Sequence, residues 1–240
     1  MTRLRQFALP FPHRPTYAGT AFLAAASNAD ALVWLDRTPG WPAGRLALWG
    51  EAGCGKTHLL HRWAERTGAD WLQGQALRGL LPAPAKPLAI DDADAAAEEE
   101  TLLHLLNAAA EAGQPVLLAG RYAPARWPVR LPDLASRLRA VTAVQIGSPE
   151  DDLLRVLLGR LLLERSLPVP EPVQDWMRLR LPRRAGAMRE AAALLDRAQY
   201  QAHRPVTRRL AEDCLAPLLN ETDEESASDP SAQAVMTPLL

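Results

Sequence analysis

From residue 16 to about 149, short apolar runs alternate with helix-like patterns. Leu46–Trp49, Leu88–Ile90, Val116–Ala119 and Ala143–Ile146 read as buried strands, because brief apolar runs between turn residues suit a sheet covered on both faces. Between them, Thr57–Arg66 places Leu59, Leu60 and Trp63 at helical spacing, and Glu98–Glu111 repeats the pattern. Such alternation predicts βα units on a parallel sheet. From Ser148 the pattern is helical throughout. Ser148-Pro149-Glu150-Asp151 reads as a helix start, with a capping Ser, a first-turn Pro and acids favoured by the dipole. Leu153, Leu154, Leu157, Leu158, Leu161 and Leu162 then recur at helical spacing, and further helices are expected over 171–180, 183–200 and 206–219. The expected organisation is a tail (1–15), an α/β core (16–147), a small helical domain (148–219) and a disordered acidic tail (220–240).

Composition narrows the class. Of 240 residues, 48% are apolar and 23% charged, which suits a folded globular chain rather than a disordered one. A net charge of −1 excludes a generic nucleic-acid glue. Charge is nevertheless uneven: residues 160–210 carry 11 Arg against 5 acids, whereas Glu221–Leu240 hold five acids and no base. Cys54 and Cys214 fit no metal spacing, as expected of a reducing cytoplasm. No run approaches the ~18 apolar residues of a membrane span, and the basic N-terminus lacks a secretory apolar region. The expectation is a soluble cytoplasmic protein.

One motif carries most of the chemistry. Gly50-Glu51-Ala52-Gly53-Cys54-Gly55-Lys56-Thr57 fits G-x-x-x-x-G-K-[ST] at every fixed position. A strand precedes it and a helix follows, as a phosphate loop requires. The glycines allow successive N–H groups to turn onto phosphates, with the helix dipole adding positive potential. Lys56 would reach the terminal phosphates, the Thr57 hydroxyl would hold Mg²⁺, and the adjacent His58 is a further candidate contact. Such a loop needs an acidic partner on a neighbouring strand. Leu88-Ala89-Ile90-Asp91-Asp92 supplies two carboxylates at a strand end, Asp91 to support Mg²⁺ through water and Asp92 to orient or deprotonate the attacking water. The cofactors expected are ATP or ADP with Mg²⁺.

With these residues in place, the chain resembles the AAA+ branch that contains DnaA, the bacterial replication initiator. That resemblance implies an αβα P-loop NTPase core with a parallel sheet, followed by a small all-α lid. Phe22 to Asn28 and Ala31 resemble the family's nucleotide-base motif, with Asn28 at its Asn. Leu131-Pro132-Asp133-Leu134-Ala135-Ser136-Arg137-Leu138 resembles the segment bearing its arginine finger, at Arg137. Met188-Arg189-Glu190 resembles the sensor 2 motif, which implies that Arg189 returns to the phosphates. Two departures stand out. Where the strand Val116–Ala119 should end in a polar sensor 1 residue, Ala119-Gly120-Arg121 follows, which implies poor hydrolysis at this site. The DNA-reading domain of DnaA has no counterpart here, because Glu221–Leu240 lack the Lys and Arg that phosphate contacts need.

The N-terminal stretch Gln6-Phe7-Ala8-Leu9-Pro10-Phe11 resembles the peptide by which bacterial proteins bind the DNA polymerase III sliding clamp, its β subunit. Gln6 offers hydrogen bonds, Leu9 and Phe11 fill apolar pockets, and Pro10 lowers the ordering cost. Together the features resemble the Hda family of DnaA-related regulators. Membership implies a negative regulator of replication initiation that binds the clamp and presents Arg137 in trans to DnaA, so that DnaA hydrolyses its ATP. Weak or no turnover of its own and an ADP-bound working state would accompany that role. A DnaC-type helicase loader, a stand-alone ATPase or nucleotide kinase, and a scaffold holding nucleotide structurally are the competing readings, and the oligomeric state stays open.

Overall fold

Five short strands pair side by side into one parallel sheet: β1 (Arg45–Trp49), β2 (Asp70–Gln73), β3 (Leu88–Asp91), β4 (Val116–Gly120) and β5 (Thr142–Gln145). The structure, a computed structural model, describes residues 22–202 and 205–227. Strand order is β2-β3-β4-β1-β5, so the chain reverses direction across the sheet at β1. Open α/β sheets bind ligands beyond the carboxyl ends of their strands at such a reversal. Four helices cover the sheet: α1 (Ala29–Asp36), α2 (Lys56–Thr67), α3 (Glu99–Glu111) and α4 (Pro132–Arg139).

Period-2 alternation along the strands divides the core into two layers. Leu46 and Leu48 of β1 join Leu117 and Ala119 of β4 in a cluster with Leu59, Leu60 and Trp63 of α2. Ala47, Leu88, Ile90, Val116 and Leu118 point to the other face, where α3 contributes Leu102, Leu105 and Leu106, and α4 contributes Leu134 and Leu138. The αβα sheet architecture expected from the alternating pattern is present. A change to an all-helical unit falls between Glu150 and Asp151. That unit consists of α5 (Asp151–Glu164), α6 (Glu171–Arg180), α7 (Ala185–Ala202) and α8 (Arg208–Ala227). Its own core joins Leu154, Leu158, Trp176, Met177, Met188, Leu195 and Leu215. Among the described residues, no helix is long and apolar enough to cross a membrane.

Three elements escape the apolar pattern. β2 is an edge strand of sequence Asp-Trp-Leu-Gln, none of it fully buried, so its run never becomes continuously apolar. α1 and α4 span eight residues each, about two turns, too few for a clear periodicity. Ser148 does not start α5, which begins at Asp151. The Glu150 carboxylate instead accepts hydrogen bonds from the Ser27 N–H (2.6 Å) and hydroxyl (2.9 Å), drawing the chain out of helical geometry before Asp151. α8 runs to Ala227, beyond residue 219 and into the stretch expected to be disordered. The segment Leu218–Ala227 has no glycine or proline to stop it.

The approach to α4 is fixed from α3. The Glu99 carboxylate accepts hydrogen bonds from the backbone N–H of Arg130 (2.8 and 2.9 Å) and Leu131 (2.8 Å). Charge-assisted bonds of this kind contribute about 1.5–3 kcal/mol each where both groups are shielded from water, and less at this exposed position. Glu99→Ala is expected to lower the melting temperature by several degrees, and to lose amide-exchange protection first at Arg130 and Leu131. Hydrogen exchange followed by mass spectrometry reads both effects.

Candidate nucleotide site

The turn after β1 is shaped by what it must not touch. Gly50 carries φ +153°, and a Cβ there would lie 2.4 Å from the Ile146 carbonyl oxygen. Only glycine passes between β1 and the end of β5. Gly53 and Gly55 follow with φ of +80° and +112°, so the backbone coils before α2 starts at Lys56. The Lys56 ammonium donates to the Gly50 and Glu51 carbonyls at 2.7 and 2.8 Å and lies 3.8 Å from Cys54 Sγ. Its charge is therefore held over the loop, on backbone acceptors that an incoming phosphate would replace. Glu51 and Ala52 are exposed at the loop's crest. Burial pushes the Cys54 thiol up, with Lys56 opposing, so the thiol is protonated at neutral pH.

Two strands away, Asp91 ends β3 at 4% exposure. Its Oδ2 accepts a hydrogen bond from Thr57 Oγ1 at 2.8 Å, joining the loop to the acidic strand. Desolvation raises the Asp91 pKa above the carboxylate range; Thr57 opposes this and the charge of Asp92 adds to it. A hydroxyl and a buried carboxylate in contact beneath the glycine loop form a donor set that fits Mg²⁺ shared with phosphates. Among the described residues no three of His, Cys, Asp and Glu gather as a metal site.

Asp92 leaves the strand with φ +48°, in the left-handed region that Asp tolerates better than most residues. Two residues that the sequence did not single out hold it there. Gln73 Nε2 donates to Asp92 Oδ2 at 2.8 Å, and a Cβ on Gly74 would lie 2.0 Å from the Asp92 carbonyl oxygen. The unrecognised edge strand β2 thus sets the tip of β3.

Arg137 lies elsewhere. β5 starts level with the beginning of β1, Leu46 pairing with Thr142, whereas the phosphate loop follows the far end of β1. Arg137 precedes β5 on α4, and its charge acts on Arg45 at the start of β1, which places it toward the sheet end away from its own loop. The side chain is half-buried. Its Nε lies 3.6 Å from Asp133, beyond hydrogen-bond range, and has no hydrogen-bond partner among the described residues. Nearby, the buried Arg45 donates to the Leu106 carbonyl at 2.8 Å, and its pKa is lowered by burial and by the Arg137 charge.

No protein-family model matches the chain. An uncharacterized protein of Haemophilus influenzae is 26% identical over 178 residues, covering 67% of this chain and 76% of that one. Domain III of the Thermotoga maritima replication initiation protein DnaA superposes with a TM-score of 0.71 at 17% identity, covering 87% of this chain and 99% of that one. AMPPCP-bound DnaA from Aquifex aeolicus gives 0.64 at 16%, over 94% and 79% of the two chains. The RuvB branch migration motor of Thermotoga maritima gives 0.56 at 16%, over 72% and 61%. The fold is AAA+.

β4 ends at Gly120, where the resemblance described above expects a polar side chain and none is present. A Cβ there would meet the Trp127 ring at 2.8 Å and the Asp94 carboxyl carbon at 3.1 Å. Asp94 accepts from the Arg121 N–H at 2.6 Å, and Trp127 Nε1 donates to the Tyr122 carbonyl at 2.7 Å. The space is filled from two directions. Asn28, buried, spends its amide on its own turn: Oδ1 accepts from the Ala25 N–H and Nδ2 donates to the Leu23 carbonyl, each at 3.1 Å. It shapes the segment that resembles the base motif rather than offering an amide to a base. His58 sets its ring edge-on to Phe22 at 5.3 Å. Arg189 stands half-buried on α7 in the helical unit, beside the fully buried Met188. Gln6 to Phe11 lie outside the described residues.

Two substitutions test this geometry. Because the folded pKa of Asp91 is raised, its ionisation destabilises the empty protein, an effect absent at low pH that grows as pH rises through the folded value. Asp91→Asn should therefore melt higher than wild type at pH 7 without nucleotide, and the difference should shrink on acidification. A melting series over pH checks the sign. Gly74→Ala should displace the tip of β3. It should weaken Mg²⁺-dependent nucleotide binding at least tenfold, measured by fluorescent-nucleotide titration, while the far-UV circular dichroism stays unchanged.

Proposed function

We propose that this chain is a nucleotide-binding AAA+ regulator of chromosomal replication initiation, of the Hda type, that stimulates hydrolysis of ATP on DnaA. Arg137 carries this reading: it sits on α4 beside Arg45 at the start of β1, the sheet end away from its own phosphate loop, and its half-buried guanidinium makes a long ion pair of 3.6 Å with Asp133. A guanidinium so placed cannot serve its own nucleotide, but it suits phosphates presented by a neighbouring AAA+ module. Kinship of fold with DnaA, solved in one case with AMPPCP and in another with AMPPCP and single-stranded DNA, supports a partner of that class.

Within this chain, Gly50 to Thr57 would cradle ADP or ATP, Lys56 would face the terminal phosphates, and Thr57 with Asp91 would support Mg²⁺. Bound Mg²⁺ supplies charge neutralisation between the phosphates. Gln73 and Gly74 hold Asp92 at the mouth of the site, where its carboxylate can orient water. With Trp127 and Asp94 filling the sensor 1 space, the polar group that would read a γ-phosphate is missing, which supports a site that keeps nucleotide rather than turning it over. Arg189 is the lid arginine of this scheme. Gln6 to Phe11 would tether the protein to the β sliding clamp, bringing Arg137 to DnaA near newly replicated DNA.

The test is hydrolysis of DnaA-bound ATP by purified protein with ADP and clamps loaded on DNA. The expected result is clamp-dependent acceleration. Arg137→Ala should remove an effect on the order of 10³-fold while leaving nucleotide binding intact. Replacement of Gln6 and Leu9 should abolish the clamp dependence. No acceleration with every component active would overturn the reading and direct the same assay to a replicative helicase as partner.

A further inference from the structure

Apart from Arg189, the charge of the helical unit is not used by the function above. Residues 176–211 contain nine arginines, no lysine, and two acids, Glu190 and Asp196. Within a chain of net charge −1, this is a concentrated cationic stretch, and it folds back on itself. Arg178 and Arg180 end α6, Arg183 and Arg184 form the turn into α7, and Arg208 and Arg209 open α8. α6 and α8 meet at Trp176, over whose ring the guanidinium groups of Arg180 and Arg208 each stand 5.6 Å from the centroid.

We infer that this face, formed by the end of α6 and the first turn of α8 where they meet at Trp176, binds the phosphate backbone of duplex DNA without regard to sequence. Three observations favour that ligand. First, the cations are guanidinium groups, whose planar forks match phosphate oxygens. Second, the indole fixes two of them: stacking on Trp176 holds Arg180 and Arg208 together and limits the side-chain entropy lost on binding. Trp176 is 9% exposed, so its ring is a fixed support for the two guanidinium groups. Third, the N-terminus of α8 adds its dipole to Arg208 and Arg209; Thr207 Oγ1 accepts from the Leu210 N–H there at 3.3 Å.

The acids near this face hold only part of its charge. Arg178 pairs with Asp175 at 2.6 Å, Arg183 with Asp151 at 2.7 Å and Arg208 with Glu212 at 2.9 Å. Exposed Arg209, in the first turn of α8, has no ion-pair partner among the described residues. Paired arginines keep donors for phosphate, since each guanidinium has five N–H bonds. An acidic peptide could satisfy the same charge, but a duplex brings several closely spaced phosphates to a cluster of guanidinium forks.

The experiment is fluorescence anisotropy of a labelled 20-base-pair duplex with the full chain, from 50 to 200 mM salt, repeated with a scrambled duplex. Binding of both duplexes alike is expected. The logarithmic salt slope should be about −0.9 per phosphate contacted, near −3 for three contacts. Arg180→Ala/Arg208→Ala/Arg209→Ala should weaken binding at least tenfold and flatten the slope by two or more, whereas the triple Lys variant keeps most of the affinity. The Lys variant guards against mere unfolding, as does an unchanged melting temperature. Lys56→Ala, which alters the phosphate loop, should leave duplex binding unchanged. Absence of binding at 50 mM salt, equal binding by the triple Ala variant, or a polyglutamate peptide binding where DNA does not would each overturn the proposal. Competition by millimolar inorganic phosphate beyond its ionic-strength effect would also overturn it, in favour of a single-phosphate pocket.

Discussion

A carboxylate buried without a cation constrains the architecture of this protein more than any other group. Asp91 lies at the end of a central strand, 4% exposed, where its charge is disfavoured by desolvation and by the neighbouring Asp92. The Thr57 hydroxyl, the Asp92 N–H and the charge of Lys56 partly compensate. Such a group persists in a folded protein when something outside the chain completes it. The loop above it coils through Gly53 and Gly55, and Lys56 is held on backbone carbonyls. Carboxylate and ammonium together suit the polyphosphate and metal of the proposed function. The hydrogen bond from Thr57 to Asp91 is the seam that keeps the two halves in register.

From that seam the rest of the core unit follows. Gly50 must be glycine because β5 ends against it, and Gly74 must be glycine because the tip of β3 rests on it. One end of the sheet is thus closed by backbone approaches that admit no side chain. The other end is built for a different purpose. Arg45 is buried at the start of β1, and α4, tied to α3 through Glu99, carries Arg137 half into solvent. A single parallel sheet keeps the cationic end apart from the phosphate loop, the separation on which the proposed role of Arg137 rests.

The strands β1, β3, β4 and β5 and the phosphate loop were legible because they obey strong local rules: continuous apolar runs between turns, and glycines at fixed spacing before Lys-Thr. Asp91 was legible as the polar end of such a run. β2 was not, since an edge strand faces water and carries Asp70 and Gln73 at its ends. With β2 went Gln73 and Gly74, whose roles exist only when β2 and β3 are paired. Asn28 was found by its position, yet its amide turns inward to hold the turn Leu23–Ala25, a choice fixed by local backbone geometry that no motif records. The missing sensor at Gly120 was visible as an absence, but the filling of its space by Trp127 and Asp94 depends on a loop folding back from outside the strand. The position of Arg137 relative to its own loop required the β1–β5 register.

The account stands on the loop and Asp91 forming one Mg²⁺-dependent nucleotide site. Calorimetric titration of the nucleotide-free protein with ADP, in the presence and absence of Mg²⁺, addresses this most directly. One site per chain is predicted, with micromolar or tighter affinity in Mg²⁺ and at least tenfold weaker affinity without it. Absence of measurable binding to correctly folded protein, or binding indifferent to Mg²⁺, would contradict the assignment of Asp91 and with it the account of the site.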